Sequence, residues 1–186
     1  DAPALPPAAA RLFVANLEVP ASVVAAAVRA ARRAGARVVL NPAPYSEGGE
    51  GCFPDVDVLV PNQIEAAGFA GADAAGVGDW AEVGRRLLAL GPRAVVLTLG
   101  SAGALVVEPA GVVRVPGHRV PVVDTTAAGD AFVGGLAAAL LRGAPLSDAA
   151  RYANACGALA VTRAGAQPSL PTAEAVEQLL AEPPHR

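Results

Sequence analysis

The chain has 186 residues, enough for one domain or one and a fraction, with 53% hydrophobic residues and a net charge of −3 from 14 basic and 17 acidic side chains. That balance supports a buried core and excludes both a disordered tail and the basic stripe of a nucleic-acid binder. All 14 basic residues are arginine, which excludes a P-loop, a protein-kinase lysine and Schiff-base chemistry. Of the two histidines, His118 falls between predicted strands and His185 at the C-terminal end, which argues against a His-based triad or a His-rich metal centre. Cys52 and Cys156 form no C-x-x-C and read as reduced thiols. No apolar run reaches the roughly 18 residues of a membrane span, and no charged stretch leads into an apolar leader core. A soluble, cytoplasmic chain with no nucleic-acid or membrane partner is expected. The absence of methionine marks it as processed, trimmed or part of something longer.

Residues 1–10 are Pro/Ala-rich and read as a linker-like end. RLFVANLE is a short buried strand carrying Leu12, Phe13 and Val14. Pro20 opens an Ala-rich helix at its first turn, with Val23, Val24, Ala27, Val28 and Ala31 on one face and Gly35 as the stop. ARVVLN is the next strand, and DVDVLVPN a third, broken by Pro61. Asn62 caps a short helix ending at Gly71. Asp79 caps an amphipathic helix to Leu90 that turns Val83, Leu87 and Leu88 inward. RAVVLTLG is apolar throughout, as in a strand buried on both faces of a parallel sheet. GALVVE and GVVRVP form a hairpin around Glu108–Gly111. Helices follow over Ala128–Leu141 and Leu146–Thr162, and a last one from Thr172. This alternation predicts α/β architecture with a mostly parallel sheet and ligands beyond the carboxyl ends of the strands.

The strongest local signal is VVDTTAAGDAFVGGLAAAL, positions 122–140. A strand is predicted to end at Asp124, and a helix to start near Ala128. The first amides of a helix lack internal acceptors and lie at the positive end of its dipole. Ala127, Ala128 and Gly129 carry almost no side chain, so an anion can approach those amides closely. Asp130 in the same turn would repel a stored anion, yet suits a general base that deprotonates a hydroxyl attacking a phosphoryl group. Taken alone, Asp130 reads equally well as a carboxylate complementing the dipole.

DTTAAGD followed by F-x-G-G resembles the signature D-T-x-G/A-A-G-D of the ribokinase-like (PfkB) carbohydrate kinases. NPAP at 41–44, PNQIE at 61–65, TLGSAG at 98–103, VPGHRVPVVDTTAAGD at 115–130 and VTRAGAQPS at 161–169 resemble successive blocks of that family in order. Within it, NPAP and GAQPS stand nearer the ribokinase branch than the fructokinase or adenosine kinase branches. The resemblance implies a three-layer α/β/α sandwich. It also implies ATP-dependent phosphorylation of a sugar, D-ribose to ribose 5-phosphate, with fructose, a nucleoside or 2-keto-3-deoxygluconate as other acceptors.

Carried over residue by residue, Asp130 is the catalytic base on the sugar hydroxyl, and Ala127, Ala128 and Gly129 form the anion hole. Asn62 and Glu65 match N-x-x-E, where Glu65 organises Mg²⁺ through water; alone, the pair reads as a capping box. Thr98, Leu99, Gly100, Ser101, Ala102 and Gly103 match the loop under the nucleotide, and Asn154 a contact to adenine or ribose. Without the resemblance, Asn154 is an ordinary polar residue on a helix face. Asp124, Thr126, Ala160, Arg163, Gly165 and Ser169 match a K⁺ site built largely from carbonyls. Glu18 matches an acid that binds the sugar; otherwise it is a plain loop carboxylate.

Family members are longer. Their first third brings a Gly-Gly motif, most sugar contacts and a lid that forms the homodimer interface. The chain therefore reads as the C-terminal portion of a single PfkB domain, truncated at its N-terminus and inactive alone. The alternative is a catalytically incompetent nucleotide-binding fragment.

Overall fold

The computed structural model describes residues 10–182, so the linker-like end up to residue 9 and His185 lie outside the described residues. Six strands form one sheet in sequence order: β1 (Leu12–Ala15), β2 (Arg37–Leu40), β3 (Val58–Leu59), β4 (Val95–Thr98), β5 (Ala104–Glu108) and β6 (Gly111–Val115). The first four are parallel, with Ala15 beside Leu40, Leu40 beside Leu59 and Leu59 beside Val95. Parallel neighbours need crossovers. These are α1 (Ala21–Arg33) after β1, a 3₁₀ turn (Gly49–Asp55) after β2, and α2 (Gln63–Phe69) with α3 (Trp80–Ala89) after β3. Only Pro109 and Ala110 separate β5 from β6, a connection that antiparallel strands alone permit.

The chain divides into two compact units: residues up to 99 with 105–113, and residues 100–104 with 114 onward. In the first, Val38, Val39 and Leu40 are all fully buried, as are Val95, Val96 and Leu97, because these parallel strands are covered on both faces. Val28, Phe53, Leu59 and Leu87 complete the same core. Phe53 comes from the 3₁₀ turn, which the sequence does not announce because GEGCFPD carries Gly and Pro and no apolar period. Asp57, 8% exposed, accepts from the Val38 amide at 2.8 Å and pairs with Arg32 at 2.7 Å and Arg93 at 3.4 Å. A buried carboxylate needs such partners.

The second unit holds α4 (Ala128–Leu141), α5 (Leu146–Ala160) and α6 (Ala173–Ala181). Small residues let α4 and α5 approach closely. A Cβ added at Gly135 would lie 3.0 Å from the Cys156 Cβ and 3.3 Å from the Ala153 Cα, and one at Gly157 would lie 3.3 Å from the Ala128 carbonyl oxygen. Both cysteines are buried free thiols. Burial pushes the Cys156 thiol up to about 11, against the opposing charge of Arg142.

Four local expectations are corrected. Pro20 is the cap before α1 rather than a helical residue. The buried face of α1 is Val24, Ala25, Val28 and Ala31, with Val23 exposed, since the docked face is turned by one residue from the one chosen. The third strand shrinks to Val58–Leu59. No strand leads into Asp124: residues 116–125 are irregular, where Pro116 and Pro121 cannot donate to a ladder. Among the described residues, no helix is long and apolar enough to cross a membrane.

Candidate active site

Parallel pairing puts the carboxyl ends of β1 to β4 along one edge of the first unit, where Glu18 and Asn62 follow their strands and Thr98 ends β4. Glu18 is exposed two residues beyond the Asn16 side chain, which accepts its amide at 3.3 Å. Asn62 caps α2 in a full capping box. Its Oδ1 accepts from the Glu65 amide at 2.9 Å, its own amide donates to Glu65 Oε2 at 2.8 Å, and its Nδ2 donates to Glu65 Oε1 at 2.8 Å. Glu65 is 6% exposed, and burial raises its pKa against the lowering effect of those bonds. Each carboxylate oxygen thus keeps a spare lone pair. That leaves room for acceptance from a metal-bound water, and no three His, Cys, Asp or Glu side chains among the described residues converge as a metal cage. Thr98 pairs with Asn62 by a parallel bridge and donates its amide to the Pro61 carbonyl at 2.9 Å; Leu99 ends the first of this unit's two stretches of chain.

In the second unit, Gly100–Ala102 form a single 3₁₀ turn, with Gly100 and Gly103 at φ +57° and +94° and with Ser101 and Ala102 exposed. Asn154 is 8% exposed, and its Nδ2 donates to the carbonyls of Val115 and Pro116, both at 3.2 Å. The side-chain nitrogen is therefore committed to the fold.

Ala127 caps α4 at φ 60°, ψ 8°, the left-handed region that an alanine adopts only at a cost. No side-chain signal in the sequence shows this strain. The Ala128 amide donates to the Thr125 carbonyl at 3.3 Å and the Ala131 amide to Ala127 at 2.8 Å, while the amides of Gly129 and Asp130 have no acceptor among the described residues. The Ala127 amide likewise has no acceptor among the described residues, so of the three amides expected to face an anion only that of Ala128 is engaged. A Cβ at Gly129 would meet nothing within 4 Å, so packing does not require glycine there. The third helical position of α2 and that of α4 both hold an acid. Glu65 folds back onto its cap; Asp130 is exposed and makes no hydrogen bond among the described residues.

Asp124 ties this start to the turn after α5. Its Oδ1 accepts from the Thr126 amide at 2.9 Å and hydroxyl at 2.7 Å, and its Oδ2 from the Gly165 amide at 2.9 Å. The amides of Val123 and Asp124 both donate to the Val161 carbonyl. Ala160 ends α5 and accepts from the Arg163 amide, and Ser169, 1% exposed, donates to the Ala166 carbonyl at 2.7 Å. The Asp124 carboxylate and the Val161 carbonyl hold the two segments together, and such oxygens are the donor type a hard cation takes.

The Gly165 amide bond, then those from Thr126, hold the Asp124 carboxyl at about 2, below its ordinary 3.8. A depressed carboxyl stabilises above its unfolded value and loses that contribution as pH falls through the folded one. Between pH 3.8 and about 2 the clasp should therefore open. Asp124→Asn, which cannot accept on both sides, should show faster exchange of the Gly165 amide already at pH 5 and little further change on acidification. A parent-like exchange profile would remove the clasp.

A model of the pfkB family carbohydrate kinases matches residues 7–173. The chain belongs to that family. Its α/β fold is the ribokinase-like one. It is 34% identical to a ribokinase from Haemophilus influenzae over 165 residues, covering 89% of this chain and 54% of that one. It is 46% identical to an aminoimidazole riboside kinase from Salmonella typhimurium over 101 residues, covering 52% and 32%. The structure of Arabidopsis thaliana ribokinase complexed with ribose and ATP superposes with a TM-score of 0.85 at 26% identity, covering 92% of this chain and 56% of that one. The chain thus spans about half the length of these ribokinases.

Proposed function

We propose that the whole protein, of which this chain is the C-terminal portion of one PfkB domain, transfers the γ-phosphoryl group of ATP to a sugar hydroxyl, with D-ribose as acceptor. The carrying observation is the first turn of α4: an exposed, unbonded Asp130 beside two helix-start amides and a glycine that packing does not demand. Asp130 takes the hydroxyl proton as the oxygen attacks phosphorus, and the proton stays on its carboxylate. The amides of Gly129 and Asp130, with the helix dipole, stabilise negative charge on the transferring group where no lysine is present.

Glu65, oriented by Asn62, would hold hydrated Mg²⁺, which neutralises phosphate charge, and Asn62 belongs to the nucleotide site; Asp124, Thr126, Ala160, Arg163, Gly165 and Ser169 would hold K⁺. Glu18 contributes to the sugar site. Thr98, Leu99, Gly100, Ser101, Ala102 and Gly103 flank the nucleotide. A cytoplasmic homodimer belongs to the same reading. A riboside acceptor is the second reading, favoured by the 46% identity to aminoimidazole riboside kinase.

Gly129 supplies the test on this chain. Alanine in a helix is favoured over glycine by about 1 kcal/mol, so Gly129→Ala should raise the melting temperature. It should also weaken Mg·ATP binding about tenfold by blocking approach to the amides, one lost charge-assisted hydrogen bond. Calorimetry and thermal melting read both. A variant that is more stable and binds Mg·ATP like the parent would refute the anion-hole reading.

A further inference from the structure

The turn at 100–103 and the strand end at 115–117 meet backbone to backbone in the second unit. A Cβ at Gly103 would run into the Val115 carbonyl oxygen and the Gly117 amide, and one at Gly117 would lie 2.9 Å from the Gly103 nitrogen. No side chain fills this joint, so the position of one segment sets that of the other. What holds the strand end is Asn154: the two carbonyls its Nδ2 reaches belong to Val115, which abuts Gly103, and to Pro116 next to it. Asn154 is itself in the middle of α5, the helix packed on α4.

We infer that Asn154 is a positioning residue for the nucleotide site, acting through Val115 and Pro116 on the Gly100–Gly103 turn. This rests on the kinase reading above. The geometry explains why an amide stands here. The buried Val115 carbonyl needs a donor, and the split hydrogen bond fixes two successive peptide units at once. With the donor gone, the strand end is free to shift away from Gly103, and the turn loses the surface that shapes it.

The test uses this chain, with Asn154→Ala and Asn154→His, the latter offering a ring N–H in place of the amide donor. Three readouts are taken: hydrogen exchange at Ser101, Ala102 and Gly103, and dissociation constants for Mg·ATP and for Mg·GTP. For Asn154→Ala, exchange at the turn should quicken at least about tenfold, and both nucleotides should bind about tenfold more weakly, the size of one buried hydrogen bond. The histidine variant should recover most of the loss. Should the alanine variant fail to fold, Gly117→Ala, which wedges the same joint from the strand side, should give the same paired losses.

Weakened ATP binding with intact GTP binding and unchanged exchange would overturn the inference in favour of a base contact. A lower melting temperature with turn exchange and both affinities unchanged would overturn it in favour of a purely structural amide. A parent chain that binds neither nucleotide would overturn the kinase reading, and this inference with it.

Discussion

Replacing Asp130 with asparagine should lower kcat for sugar phosphorylation by the whole protein about 10²- to 10⁴-fold, the range for losing a general base. The substitution keeps size and polarity and removes the negative charge and with it the ability to hold the sugar proton. Nucleotide affinity should change little, because Asp130 makes no hydrogen bond that shapes the helix start and the amides of residues 129 and 130 remain. The contrast with Glu65 sharpens the expectation. Glu65→Gln keeps one acceptor toward the Asn62 amide but presents its own NH₂ to the Asn62 Nδ2, so it should disturb α2 as well as activity. Turnover by Asp130→Asn within a few-fold of the parent, followed as sugar-dependent ADP release, would make Asp130 a helix-terminus acid and nothing more.

The second large effect is on stability and lies behind the site. Gly135→Val should destabilise the fold by about 3 kcal/mol, the upper range for overpacking a core, and lower the melting temperature by about 6–12 °C. A side chain there meets Cys156 and Ala153 on α5 at distances real Cβ atoms rarely reach. The helices must separate, and α5 also backs the first turn of α4 through Gly157 and the Ala128 carbonyl. Mg·ATP binding should therefore weaken too. Cys156→Ala removes the Sγ, the nearest obstacle, and leaves the Cβ, so the cost of Gly135→Val should fall by at least about 1 kcal/mol in that background. Equal costs in both backgrounds would show that the thiol contact is not the limiting one.

Much of the site is legible in the sequence because its chemistry is local. A helix start is built from adjacent residues, so DTTAAGD announces small residues, exposed amides and an acid in one turn without any knowledge of the fold. The capping box of Asn62 and Glu65 is likewise a contact between residues three apart, and the structure contains it atom for atom. The apolar run VVLT identifies itself as doubly buried by composition alone.

Tertiary structure decided whatever depends on partners far along the chain. The Asn154 amide meets carbonyls 38 and 39 residues away, and Asp124 meets Gly165 across 41 residues. Asp57 finds Arg32 25 residues earlier. Periodicity gives α1 an apolar stripe wider than the face it buries, and only docking excludes Val23. The left-handed Ala127 is chosen against its own preference, because the chain must turn from the Asp124 clasp directly into α4. Local sequence sets what each turn can do chemically; long-range packing sets which polar atoms are already used and which remain for a ligand.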